Sequence, residues 1–140
     1  MNLEFDGYYY QANKMPEESG IYLVYRGKLK PNNLCDLNKL IYIGQSINLK
    51  ERIQSHINDK DLDNNLKENE LLLFSYVKVN QSMLDCIEKA LIYTQKPCAN
   101  TNNKYSYNYG KINLNISGAC AYLESCCNYL KGISISLCND

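Results

Sequence analysis

Among its 140 residues the chain has one histidine, His56, and two arginines, Arg26 and Arg52. His56 and Arg52 stand four positions apart, just after the apolar string Leu40-Ile41-Tyr42-Ile43-Gly44. On a helix that spacing places both side chains one turn apart on the same side. Arginine presents a planar fork of donors suited to phosphate oxygens, with a charge that does not titrate away. Tyr22 and Tyr42 fall in two strand-like runs, and if their faces match, both hydroxyls point into one pocket. Glu88 lies midway along a helical pattern between Ile87 and Leu91, where a carboxylate is a natural ligand for one magnesium ion. Asn100 follows Pro97. Taken singly, each residue also has an ordinary use: a turn glycine at 20, packing tyrosines on strands, solvated Arg52, a surface or core His56, a Glu88 paired with Lys89, a turn-capping Asn100. One site would account for all of them in order.

The elements that would position these groups can be read from periodicity. Gly20 to Tyr25 and Lys39 to Gly44 are short β-branched and aromatic runs, and Leu71 to Val79 is a third strand. The polar stretch Arg26 to Asn38, with Pro31-Asn32-Asn33, reads as a loop too short for a helical crossover, so the first two strands should form an antiparallel hairpin. Ser46 or Asn48 can cap a helix carrying Leu49, Ile53 and Ile57 at i, i+4, i+8. Gln81 to Tyr93 is a second helix, ended by Pro97. Glu4 to Gln11 reads as an edge strand and Asp59 to Glu70 as a loop or frayed helix end. Ile112, Leu114 and Ile116 alternate, 118 to 130 fits a helix, and Ile133, Ile135 and Leu137 alternate again. The expected fold is α/β (α+β): a small, mainly antiparallel three-stranded sheet flanked by helices, with a short C-terminal β-α-β-like extension. The expected boundaries are 1–103 for the main domain and 104–140 for the extension packed on it.

At this point the sequence resembles the GIY-YIG endonuclease family. It contains both tripeptides letter for letter, Gly20-Ile21-Tyr22 and Tyr42-Ile43-Gly44, then an arginine ten residues beyond the second tyrosine, a glutamate in a helix and an asparagine after a proline. The resemblance runs from about Pro16 to Asn103. It implies a GIY-YIG-type DNA endonuclease that hydrolyses phosphodiester bonds with one Mg2+ (or Mn2+). Tyr22 would then be the base, or the hydroxyl that orients the attacking water. A phenol with an ordinary pKa near 10 needs help for that task, and His56 matches the position that draws off the tyrosine's proton. Arg52 would hold the scissile phosphate, Tyr42 would contact phosphate or metal-bound water, Glu88 would bind the metal, and Asn100 would tie the site together. DNA contacts are expected at Lys28, Lys30, Lys50, Gln45 and Ser46. Two departures stand out: the 19 residues between Tyr22 and Tyr42 make the intervening loop an insertion, and Glu51 occupies a place where some relatives carry lysine.

Bulk composition sets outer limits. The length suits one domain with a single sizeable core. Apolar residues are 45% and charged residues 21%, ordinary for a globular protein. No apolar run approaches the roughly 20 residues of a membrane helix. The first 20 residues lack the pattern of a signal peptide, so the expected location is cytoplasmic. Fifteen basic and fifteen acidic residues cancel, which counts mildly against a polynucleotide ligand unless charge is concentrated locally. That neutrality, with Glu51, favours an alternative: a non-catalytic nucleic-acid-binding or protein-interaction module on the same fold. Cutting both strands with one small site would take two copies or two visits, which leaves room for a homodimer. The seven cysteines (35, 86, 98, 120, 126, 127, 138) show no C-x-x-C pair and read as reduced, packing thiols.

Overall fold

The computed structural model describes residues 1–102, 104–110 and 112–123, and the backbone of a strand at 134–136. In chain order the elements are β1 (Asn2–Tyr9), β2 (Gly20–Lys30), β3 (Leu34–Ser46), α1 (Leu49–Asp59), β4 (Leu71–Lys78), α2 (Leu84–Gln95), β5 (Asn115–Gly118) and β6 (Ser134–Ser136). They build one six-stranded sheet in the order β5-β1-β4-β2-β3-β6. All neighbours run antiparallel except β1 and β5. The fold is mixed α/β, as expected, but the sheet has six strands and not three.

Two further features of the sheet depart from the expectation. The stretch from Arg26 to Asn38 is no loop: β2 and β3 stay paired out to Lys30 opposite Leu34. Its alternation is masked by lysines and asparagines, yet Cys35 and Leu37 are buried while Asp36 between them is not. Asn32 and Asn33 turn the hairpin with φ of 63° and 61°, a left-handed geometry that asparagine tolerates better than most residues. β1 is interior, between β4 and β5. Leu3 and Phe5 enter the core while Glu4 and Asp6 stay out.

The sheet is covered on both faces, which is why β2 opens as an unbroken apolar run. Along it, Ile21, Leu23 and Tyr25 pack with Ile43, Leu73 and, from α2, Leu84, Ile87 and Leu91. The alternate residues Tyr22 and Val24 pack with Ile41, Phe74 and, from α1, Leu49 and Ile53. Each buried leucine or isoleucine contributes about 1.5–3 kcal/mol, and such anchors fix both helices, Leu49 and Ile53 on α1 and Leu84, Ile87, Leu91 and Ile92 on α2.

Helix α1 starts at Asn48, whose side chain accepts from the Glu51 N–H at 3.1 Å. Glu51, unaccountable as a DNA contact, therefore sits in the first turn, where a negative charge complements the helix N-terminus. Both helices end on a left-handed lysine, Lys60 (φ 54°) and Lys96 (φ 47°), whose N–H groups donate to His56 O and Ile92 O. The C-terminal segment packs on the same core: Ile116, Cys120, Ala121 and Leu123 are buried, and the Tyr25 hydroxyl donates to Ala121 O at 2.8 Å. Cys120 is disulfide-bonded, against the expectation of uniformly reduced thiols, since spacing alone carries no pairing information. Cys35, Cys86 and Cys98 are free thiols. Cys126, Cys127 and Cys138, and most of the helix expected over 118 to 130, lie outside the described residues.

Candidate active site

The geometry begins with strand register. Tyr22 on β2 stands directly opposite Gly44 on β3, and Tyr42 lies two residues back along the same strand. Side chains two apart share a face, so both tyrosines and Gly44 belong to the α1 side, while Ile21 and Ile43 point into the other core. A Cβ at Gly44 would collide with the Tyr22 ring and hydroxyl. Only glycine lets Tyr22 lie across β3 with its ring 6.2 Å from that of Tyr42. A Cβ at Gly20 would strike the Val77 carbonyl of β4. Both tripeptide glycines thus leave room that a Cβ would fill, Gly44 for the Tyr22 side chain and Gly20 for the β4 backbone.

Helix α1 then delivers His56 and Arg52 over this face. His56 and Tyr22 are each 1% exposed, and the Tyr22 hydroxyl lies 2.8 Å from His56 Nε2. The other ring nitrogen, Nδ1, lies 2.9 and 3.1 Å from the two oxygens of Asp61. Burial lowers the His56 pKa, opposed by the hydrogen bond to Asp61 and reinforced by the Arg52 charge. Burial likewise pushes the Tyr22 hydroxyl well above its usual value, and Tyr42 adds to this while Arg52 opposes it. Of the two arginines, Arg26 is held by Glu70 at 2.7 Å. Arg52 makes no ion pair among the described residues. It faces both tyrosine hydroxyls and lines an open cleft of about 380 Å3 with Ser46, Ile47, Asn48, Glu51 and Ser55.

Glu88 arrives from α2 at the free side of β3. It lines a small cavity of about 130 Å3 with Tyr42, Ile92, Asn100, Thr101 and Asn102. Gln45 Nε2 donates to Glu88 Oε1 at 3.1 Å and to Asp85 Oδ1 at 2.5 Å. Burial raises the Glu88 pKa, opposed by the Gln45 hydrogen bond and reinforced by Asp85. Among the described residues no three His, Cys, Asp or Glu side chains cluster closely enough to enclose a metal ion. A half-buried carboxylate with spare lone pairs beside an open cavity does fit magnesium, which takes one or two carboxylates and completes its shell with water and phosphate oxygens.

A family profile described as the GIY-YIG catalytic domain matches residues 18–106. The chain belongs to the GIY-YIG family. Among curated relatives, UvrABC system protein C of Petrotoga mobilis (strain DSM 10674 / SJ95) is 32% identical over 90 residues. That alignment covers 61% of this chain and 14% of the relative, so the chain spans a small part of the length of the protein it matches. No solved structure matches.

Within this GIY-YIG domain the expected site residues separate into two groups. Tyr22, Tyr42, Arg52, His56 and Glu88 converge. Asn100 borders the same cavity, but its amide turns to the backbone: Oδ1 accepts from Ile43 N–H at 3.0 Å and Nδ2 donates to Ile43 O at 2.9 Å. It caps the open side of β3 beside the Ala99 N–H bond to Ile41 O. Of the expected DNA contacts, Gln45 is engaged with the two carboxylates and the Ser46 hydroxyl bonds the Asn48 backbone. Lys50 lies half-buried in the first turn of α1. Lys28 and Lys30 stand on the exposed hairpin arm, six and eight residues beyond Tyr22, or roughly 20 and 26 Å along the strand. Lys30 there pairs with Asp36 at 3.4 Å. Asp61 and Asp85 were not singled out in the sequence. Asp61 lies in a charged run without periodicity, and only the left-handed turn at Lys60 folds it back against His56.

No helix among the described residues is long and apolar enough to cross a membrane.

Proposed function

We propose that this GIY-YIG domain is a divalent-metal-dependent DNA endonuclease. The observation that carries the reading is the buried Tyr22–His56 hydrogen bond at 2.8 Å, beside Arg52, which makes no ion pair among the described residues. A buried hydroxyl paired with a near-neutral imidazole has somewhere to send a proton, and Arg52 can meet an anion from the solvent side.

In this mechanism the DNA backbone lies over the cleft at Arg52, whose fork binds non-bridging oxygens of one phosphate and stabilises the charge that grows there during attack. Tyr22 takes a proton from the attacking water as its own hydroxyl proton passes to His56 Nε2. The water oxygen bonds to phosphorus, the opposite P–O ester bond breaks, and its electron pair leaves on a sugar oxygen that then takes up a proton. His56 afterwards returns its proton to solvent. Tyr42, two residues from Gly44, braces the Tyr22 ring and presents its hydroxyl to the same phosphate. Glu88 would hold the magnesium ion, whose charge offsets that of the phosphate and the departing oxygen.

The test is cleavage of supercoiled plasmid with Mg2+ by the wild type and by Tyr22→Phe, Arg52→Ala and Glu88→Gln. Each variant should cut at least about 100-fold more slowly. Cutting by Glu88→Gln at the wild-type rate would remove its metal role. A folded wild type inert on plasmid, single-stranded and branched DNA would leave the non-catalytic module as the reading.

A further inference from the structure

We propose that Asp61 is a positioning residue that fixes the tautomer of His56, keeping Nε2 open to receive the Tyr22 proton. The inference rests on the proposed nuclease reading, in which Tyr22 is relieved of a proton through His56.

The starting point is which ring nitrogen carries the hydrogen. Nδ1 is 2.9 and 3.1 Å from both oxygens of one carboxylate, and a carboxylate can only accept. Nδ1 must therefore carry a hydrogen and donate to Asp61, and burial, which lowers the His56 pKa, favours the neutral ring. The lone pair is then left on Nε2, 2.8 Å from the Tyr22 hydroxyl, and the hydroxyl donates to it. With the opposite tautomer Nε2–H would donate to Tyr22, and no proton could leave the tyrosine by this route. A neutral histidine partnered by tyrosine alone could adopt either arrangement, because a hydroxyl both donates and accepts. Asp61 is the partner that decides.

The chain is built to hold that carboxylate there. Lys60 in the left-handed region closes α1, its N–H bonding to His56 O, and reverses the backbone so that Asp61, five residues past His56, lies back across the ring. Leu62, next in sequence, is buried in the α1-side core, and its carbonyl accepts from Asn65 Nδ2 at 3.0 Å. Asp61 is thus pinned between a helix cap and a core anchor, although its side chain is 43% exposed. That exposure weakens its Coulombic pull on the ring but not the donor–acceptor logic, which depends on geometry. Among the described residues the remaining titratable or charged groups facing His56 are Tyr22 and Tyr42 from the sheet, and Arg52 and Asp59 from α1 itself. The tyrosine hydroxyls can serve either tautomer, and neither Arg52 nor Asp59 is hydrogen-bonded to the ring.

Because the chain has one histidine, its imidazole can be observed without assignment. In 15N-labelled wild-type protein at pH 7.5, free of DNA and metal, Nδ1 should show the shift of a protonated nitrogen and Nε2 that of a bare one. In Asp61→Asn the single pattern should give way to a mixture of both tautomers, since the new amide can donate to Nδ1 or accept from it, whereas Asp61→Glu should retain the wild-type pattern. In plasmid cleavage Asp61→Asn should lower kcat at least about tenfold with KM for DNA little changed, and Asp61→Glu should recover most of the rate. A wild-type ring with Nε2 protonated, an imidazolium at pH 7.5, or an Asp61→Asn ring unchanged in tautomer overturns the proposal. So does an Asp61→Asn protein of mixed tautomer that cuts at full rate. The wild-type spectrum needs neither a variant nor activity, so an inert wild type with Nδ1 protonated would sink the nuclease reading while leaving the tautomer assignment standing.

Discussion

At the scale of single residues, the Tyr22–His56 pair is a polar contact inside an apolar layer, flanked by Leu49 and Ile53. Such a contact has a cost that depends on pH. The His56 pKa is lowered by burial, so the unfolded chain, with a histidine near 6.5, binds a proton at a pH where the folded chain does not. Folding stability is therefore undiminished by this group above about pH 6.5, and falls as pH drops from there toward the lowered folded value. Urea unfolding at pH 7.5 and 5.5 should show the wild type losing more stability on acidification than His56→Gln. Equal losses would mean that His56 takes up its proton equally readily in the folded and the unfolded chain. The raised Glu88 pKa works the other way, adding stability as pH falls, which is why the comparison with His56→Gln is needed to isolate the ring. These two residue types and Arg52 were legible in the sequence because each is rare or motif-bound. Asp61 was not, since a carboxylate in a charged run reads as solvated surface until the turn that redirects it is seen.

At the scale of elements, β3 does most of the positioning. Its face carries Tyr42 and Gly44, its end carries Gln45 toward Glu88, and its open side needs a cover for the Ile43 backbone. The Asn100 amide provides one donor and one acceptor for that backbone unit, as a neighbouring strand would. Asn100→Asp keeps the shape but cannot donate to Ile43 O. It should destabilise the protein by about 1–3 kcal/mol, the usual range for a buried group left without its partner, as measured by chemical denaturation. A loss below about 0.5 kcal/mol would show that the edge is satisfied some other way. The three strands that hold the motif, and both helices, were readable from periodicity and capping residues. The hairpin arm was not, because its solvent-facing positions carry lysine, proline and asparagine, and its inward alternation of Cys35 and Leu37 is too short to stand out. The interior place of β1 was also hidden: its partner β5 lies more than a hundred residues away, and no local pattern reports so distant a pairing.

At the scale of the whole molecule, zero net charge means that attraction for DNA has to be local, and the open cleft beside Arg52 offers such a place. Metal binding can be followed without DNA. If Glu88 is the ligand, millimolar Mg2+ should raise the Tm of the wild type and leave that of Glu88→Gln unmoved, since an ion that binds only the folded state stabilises it by about 2.7 kcal/mol at 100 times its Kd. An equal rise in both would place the ion elsewhere. The long β2–β3 hairpin carries a further consequence. Tyr22 and Tyr42 keep their shared face because every step between them is counted across the turn at Asn32 and Asn33, with two register irregularities along the way. A strand that slips by one residue turns its side chains to the opposite face. Distance between the two tripeptides is thus governed by parity: one residue added to each strand at the tip lengthens the arm and leaves the pocket untouched, whereas a single unpaired insertion must be swallowed as a bulge before it reaches Tyr42. The tip of the hairpin is the chain's natural port for growth.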